Sequence, residues 1–239
     1  MAVDILAIGV HPDDVELGSG GTVLKHIDQG YSVAIVDLTQ GELGTRGNAK
    51  LRMEEAEEAR KILGAVAREN LGMADGFFQH TKENILKVSA AIRKYQPKIV
   101  LANAITDRHP DHGRAAKLIS DACFYSGLLK IEQKDSNGKD LLPWRPDAVY
   151  HYIQDRNLEA DLIVDISGFM DKKIEAILAF KSQFYTSNRD EPETPISGKD
   201  FIEFNRAKNR SYGRAIKAEY GEGFTVDRNI GVHNLFDLI

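Results

Sequence analysis

Two short clusters of imidazoles and carboxylates carry the chemistry that this chain can perform. The first is His11-Pro12-Asp13-Asp14, at the end of the apolar run Ile5-Leu6-Ala7-Ile8-Gly9-Val10. Adjacent carboxylates at the end of a buried strand cost several kcal/mol unless they are paired or bound to a metal. His11 and Asp14 are three residues apart with Pro12 forcing a turn between them, so their side chains can converge on one point. A divalent ion of hard-to-borderline character accepts imidazole nitrogen and carboxylate oxygen together, zinc being the common case. Asp13 then points elsewhere and is available as a base. The second cluster, Asp107-Arg108-His109-Pro110-Asp111-His112, follows another apolar run, Ile99-Val100-Leu101-Ala102. In an open α/β sheet the carboxyl ends of neighbouring strands share one crevice, where ligands bind. His112 can complete a triad with His11 and Asp14 there, leaving a position open for water as a catalytic zinc requires. The competing account makes each cluster a helix N-cap, with proline just inside the helix. It accounts for either cluster alone, but not for the same pattern at two strand ends.

Alternating strands and helices must position these clusters. A strand over residues 3–10 leads into the first. Gly18-Ser19-Gly20-Gly21-Thr22 opens a helix through Val23, Leu24 and Ile27, closed near Gly30. Its spacing matches neither a dinucleotide fingerprint nor a P-loop, so the glycines are expected to let the ligand-bearing turn pass close to the helix and sheet. A second strand, 31–38, ends in the glycine-rich loop Gln40-Gly41-Glu42-Leu43-Gly44-Thr45-Arg46-Gly47. A helix at 50–63, a weak strand at 65–71, a helix at 81–95 stopped before Pro97, a strand at 98–102 and a helix at 111–124 follow. This is the pattern of an α/β, Rossmann-like, doubly wound and mostly parallel sheet with helices on both faces. Beyond Ser126 the pattern loosens into a surface loop (134–140), strands at 148–154 and 162–166, and a helix at 171–180. A polar, proline-dotted lid or interface loop (182–199), a long helix (200–220) and a tail of strand character (221–239) complete the chain. With no repeat and no linker, one domain over 1–239 is expected. Residues 1–125 form the core with the metal site, and 126–239 add the completing strands, the loop and the last helix.

At 239 residues, 42% apolar and 28% charged, the chain has enough apolar content for a sizeable core. Its net charge of −5 and lack of a lysine or arginine run argue against an extended nucleic-acid or membrane footprint. The single cysteine, Cys123, reads as a small buried hydrophobe, and no intrachain disulfide can form. No signal-type start or membrane-length apolar segment is seen, so a cytoplasmic protein is expected.

With His11-Pro12-Asp13-Asp14 and His109-Pro110-Asp111-His112 in these contexts, the chain resembles the LmbE-like, or PIG-L, zinc-dependent N-deacetylases. Their hallmark is a strand followed by His-Pro-Asp-Asp and, later, His-Pro-Asp-His. Where the family most often places Glu directly after the second Asp, this chain has Val15 and then Glu16. That variant, with the 40–47 loop and Asp107 to Arg114, looks like the bacillithiol-biosynthesis branch, which removes acetate from N-acetylglucosaminyl-malate. The resemblance implies zinc, or another divalent transition metal such as Fe²⁺, on His11, Asp14 and His112, with Asp13 as the proton-shuttling base. It implies His109 as donor to the carbonyl oxygen, with Asp111 holding its imidazole charged and correctly rotated. It also implies a small sugar conjugate as partner and a homo-oligomer. The two carboxylates of a malyl group call for arginine, and Arg52 and Arg108 are the preferred anchors, Arg46 the third. His151 and Tyr152, at a strand end, are further candidates for the pocket wall, whereas His26, His80 and His233 read as surface or packing residues. Another N-acetylated sugar, a chitooligosaccharide or an inositol conjugate, is the alternative substrate. A non-catalytic nucleotide-binding module acting through residues 18–22 is the alternative of a different class.

Overall fold

The apolar runs form the strands of one seven-stranded sheet in a computed structural model that describes residues 1–184 and 191–237. In chain order the elements are β1 (Ile5–Gly9), α1 (Asp14–Asp28), β2 (Val33–Thr39), α2 (Ala49–Leu63), β3 (Ala67–Met73), α3 (Lys82–Tyr95), β4 (Ile99–Ala102), α4 (Pro110–Tyr125), β5 (Ala148–Tyr152), β6 (Leu162–Asp165), α5 (Met170–Leu178), α6 (Phe201–Ala215) and β7 (Gly221–Val226). The spatial order is β3-β2-β1-β4-β5-β7-β6. The first five are parallel, and β7 inserts antiparallel between β5 and β6. The doubly wound, mostly parallel sheet expected from the sequence is therefore present, with an antiparallel edge.

β1 and β2 are buried along their whole length, which is why they read as continuous apolar runs rather than alternating ones. Leu6, Ile8, Ala34 and Val36 face a core closed by Val88 and Ile92 of α3 and Leu118 and Ile119 of α4. Ile5, Ala7, Val33 and Ile35 face the opposite layer, with Val23 and Leu24 of α1. Beside that layer, Ala56 and Ala59 of α2 pack with Ile174 and Ile177 of α5 and with Phe180. β1 pairs with β2 on one side and β4 on the other, so the carboxyl ends of β1 and β4 flank the switch point at which such sheets form a crevice.

Most boundaries fall within two residues of the expected ones, and three differ by more. α1 starts at Asp14 and contains the glycine run instead of being opened by it. A Cβ on Gly18 would stand 2.2 Å from the Tyr152 ring, and one on Gly21 would stand 2.6 Å from Ile166. The close approach to the sheet was expected; its place inside a helix was not. α6 stops at Ala215 rather than Tyr220, because the chain reverses to lay Tyr220 against Gly213, where a Cβ would stand 2.7 Å from it. Beyond β7 the described residues of the tail hold one regular element, a 3-10 turn at Leu235–Asp237. The expected 182–199 loop falls partly outside the described residues; 191–197 is irregular chain running up to α6. Among the described residues no helix is long and apolar enough to cross a membrane.

Candidate active site and metal centre

The turn after β1 is built around Asp13, whose φ of 123° puts a non-glycine residue in the left-handed region, a conformation that persists only where its surroundings impose it. Asp13 occupies the N-cap position of α1 but its side chain makes no capping bond, so the helix-cap account of the first cluster does not describe it. Arg52 holds it instead: Nη2 donates to Asp13 Oδ2 at 3.1 Å and to the Pro12 carbonyl at 2.6 Å. Asp14 turns the other way. Its Oδ2 accepts the His11 main-chain N–H at 2.9 Å and Asn103 Nδ2 at 3.0 Å. Its Oδ1 lies 3.2 Å from His112 Nε2 and accepts Gln154 Nε2 at 2.8 Å. His11 Nδ1 stands 3.7 Å from Asp14 Oδ2. The expected triad of His11, Asp14 and His112 is thus brought together, and all three are buried.

Each imidazole is gripped from behind by acid. His112 Nδ1 donates to Asp107 Oδ2 at 2.5 Å, and Asp107 also accepts the Arg156 main-chain N–H. His11 Nε2 lies 3.0 Å from Asp75 Oδ1 and 3.7 Å from Asp111 Oδ2. Carboxylates behind the histidines orient them and raise their basicity, as they do around transition-metal sites. Burial alone would lower both imidazoles, but the acids prevail, holding His11 up to about 10 and His112 up to about 9. A metal held by these two imidazoles would displace protons from them. Against its own burial, Asp14 is held far below the usual carboxylate range by His112 and His11. Asp14 standing against both His11 and His112, with an acid behind each imidazole, gives donor chemistry that suits a divalent transition metal. Among the described residues two sets of donor atoms lie within 4.8 Å of one another, His11 with His109 and His112, and His11 with Asp75 and Asp111. Asp13 is pushed up to about 7, chiefly by burial, with Arg52 pulling down and Asp14 pushing up. A carboxyl poised there can both take and return a proton near neutrality.

His109 differs from expectation in how it is held. Its Nδ1 accepts the Asp111 main-chain N–H at 3.3 Å as the N-cap of α4, so the neutral ring carries its proton on Nε2. Burial and the neighbouring His11 and His112 lower its pKa. The Asp111 carboxylate does not hold this imidazole in a charged form. It accepts Gly76 N–H and Arg114 Nη1, both at 2.9 Å, and faces His11.

The three arginines are placed unequally. Arg108 is at the pocket rim, with Nε donating to Asp155 Oδ2 at 2.8 Å. Arg52 lines the pocket but is buried, engaged with Asp13. Arg46 does not line it; its guanidinium donates to the carbonyls of Pro192 at 2.7 Å and Glu191 at 3.3 Å. His151 and Tyr152 also stand outside the wall. Tyr152 lies fully buried under α1 and donates its hydroxyl to the Ile8 carbonyl, while His151 Nδ1 donates to the Asn103 carbonyl. The pocket, about 480 Å³, combines the two clusters with Leu43, Phe77, Ile196, Phe201 and Phe204 on its outer side. Sequence reasoning missed Asp75, Asn103, Gln154 and Lys208. The first three lie one or two residues past the ends of β3, β4 and β5, and that position was the available signal. Lys208, within α6, gave none.

A family model described as PIG-L, GlcNAc-PI de-N-acetylase, matches residues 6–123, from β1 through both clusters into α4. The diacetylchitobiose deacetylase of Thermococcus kodakarensis is 33% identical over 190 residues, covering 75% of this chain and 70% of that protein. The chain belongs to the PIG-L family. The conserved protein TT1542 of Thermus thermophilus superposes with a TM-score of 0.85 at 33% identity, covering 98% of each chain. A probable N-acetyl-α-D-glucosaminyl L-malate deacetylase 2 of Bacillus anthracis is 25% identical over 203 residues, 76% of this chain and 82% of that one. The 4-oxalmesaconate hydratase of Pseudomonas putida is 25% identical over 237 residues, 90% and 88% respectively. The relatives thus include a hydratase beside the deacetylases. PIG-L deacetylases are metal-dependent amidohydrolases, and the His/Asp centre of this chain is of the kind that they require.

Proposed function

We propose that this PIG-L protein is a zinc-dependent hydrolase that removes acetate from an N-acetylglucosamine conjugate whose remaining part is uncharged, a short chitooligosaccharide being the nearest chemistry. The observation that carries the reaction is Asp13, poised near neutrality beside the converging His11, Asp14 and His112. When bound, zinc supplies a Lewis acid that lowers the pKa of a water. Asp13 takes a proton from the attacking water as its oxygen bonds to the acetamide carbon. It then delivers that proton to the nitrogen as the C–N bond breaks, because an amine leaves poorly unless protonated. His109 Nε2–H donates to the carbonyl oxygen while charge develops on it.

The aglycone is read from the outer wall. Leu43, Phe77, Ile196, Phe201 and Phe204 offer apolar faces to a sugar ring, whereas Arg46 and Arg52 are engaged elsewhere and Arg108 is paired with Asp155. The malyl conjugate of the bacillithiol branch is the second reading. The Gln40–Gly47 loop and the Bacillus anthracis relative favour it, and Arg108, released from Asp155, is the cation within reach. Metal content and amine release from N-acetylglucosamine, diacetylchitobiose and N-acetylglucosaminyl-malate, before and after chelation, test both. Chelator-sensitive release, fastest from the neutral disaccharide, supports the proposal, and faster release from the malyl conjugate selects the second reading. Bound metal with no release from any of them refutes the deacetylase.

A further inference from the structure

Gln154, two residues past β5, is buried beside the metal centre. Its side-chain oxygen accepts Asn103 Nδ2 at 3.0 Å and the Ala104 main-chain N–H at 3.2 Å. An amide whose oxygen has two donors must turn its NH₂ the other way. Nε2 accordingly donates to Asp14 Oδ1 at 2.8 Å and stands 3.4 Å from His112 Nε2. From α6, Lys208 Nζ donates to the main-chain carbonyls of Ile153, at 2.8 Å, and of Gln154, fixing the backbone from which the amide projects. A carboxylate oxygen has two acceptor sites. Both sites of Asp14 Oδ2 are filled, by His11 N–H and Asn103 Nδ2, whereas Oδ1 takes Gln154 Nε2 on one side and faces His112 Nε2 at 3.2 Å on the other, the side that a metal shared with His112 would take.

We infer that Gln154 is a positioning residue of the metal centre: with Asn103 it holds the Asp14 carboxylate so that Oδ1, beside His112 Nε2, is the oxygen presented to a divalent metal. This rests on the proposed metal-binding role of His11, Asp14 and His112 and goes beyond it in assigning which oxygen binds and what selects it.

The test strips the full-length protein with a chelator and titrates zinc back against a competing fluorescent chelator. Gln154→Met keeps the length of the side chain and removes both the donor to Asp14 and the acceptor of Asn103 and Ala104. The expected result is zinc affinity weaker by about 10- to 100-fold, as for lost partners behind metal ligands, with the metal-free protein still folded by circular dichroism. Cobalt(II)-loaded Gln154→Met should show an altered visible spectrum, which a general loss of folding stability would not produce. Lys208→Met, which frees the main-chain carbonyls of Ile153 and Gln154 and leaves the Gln154 amide in place, should weaken zinc in the same direction and carries the test if Gln154→Met does not fold. Affinity within about threefold of the parent protein, far short of the loss expected for such partners, overturns the inference. If kcat alone then falls, the Nε2–H acts on substrate instead. A parent protein that binds no zinc would refute the metal reading itself, an outcome separable from a failure of Gln154.

Discussion

Removing Arg52 should move the pH at which the enzyme works. Arg52 and Asp13 are each about 5% exposed, and their charged groups meet at 3.1 Å. A hydrogen bond between charged groups contributes about 1.5–3 kcal/mol, and one pKa unit corresponds to about 1.36 kcal/mol. Arg52→Met should therefore raise Asp13 by roughly one to two units from its position at about 7. A base must be ionised to act, so kcat rises with pH through this titration, and the acid limb of the profile should shift upward by that amount. At pH 7 the ionised fraction falls from about one half to about 1–10%, a loss of roughly 5- to 50-fold that is recovered about two to three units higher. A bound dication draws Asp13 down in both proteins, so the quantity to read is the displacement between their profiles. The assay is kcat for amine release against pH at saturating zinc and substrate. An unmoved acid limb with a raised KM would show that Arg52 serves the substrate, as expected of a carboxylate anchor. A uniform fall at every pH would show that it only supports the fold. Either outcome refutes the coupling to Asp13.

Asp13→Asn should lower kcat by about 10²- to 10⁴-fold, the usual contribution of a positioned base, while zinc stoichiometry stays at the parent value; turnover near normal would remove Asp13 from the mechanism. Arg46→Ala should loosen residues 194–196 by freeing the Glu191 and Pro192 carbonyls. KM for a disaccharide should then rise more than KM for N-acetylglucosamine, and equal changes would show that Arg46 does not shape the outer wall. Arg68 bridges Asp37 at 2.7 Å and Glu16 at 2.6 Å with all three side chains buried. Arg68→Met leaves two acids unpaired and should cost about 3–5 kcal/mol, lowering Tm by roughly 6–20 °C for a chain of this size. A Tm within a degree or two of the parent value would mean that the acids simply protonate without penalty.

What could be read from the sequence was what is local in it. Each cluster lies within six residues, and each follows a continuous apolar run that reads as a buried strand, so the candidate triad and Asp13 could be named from spacing and strand context. The groups that complete the site are distant in sequence. Asp75 reaches His11 across 64 residues and Gln154 reaches Asp14 across 140, and no pattern within one segment announces such a pairing. Arg52 read equally well as an exposed partner for the glutamates of α2, because a charge on a helix does not show which face it occupies. The insertion of β7 between β5 and β6 was hidden for the same reason: strand order is a property of the assembled sheet.

His151 and Tyr152 show why nearness to a strand end is too coarse a criterion. Side chains alternate across a strand, and Tyr152 lies in the layer under α1, where it contacts the chain at Gly18 and bonds the Ile8 carbonyl. Two residues later, past the last ladder pair, Gln154 is free of the sheet and its amide reaches Asp14. The same rule governs the other contributors: His11, Asp75, Asn103 and Gln154 all stand one or two residues beyond a strand's last residue, on β1, β3, β4 and β5. At that distance the side chain has left the packed layers but its backbone is still fixed by the sheet. Four parallel strands ending at one edge therefore supply His11 and the Asp13–Asp14 pair from the β1 turn and, from its neighbours, groups that orient them, while His112 comes from α4.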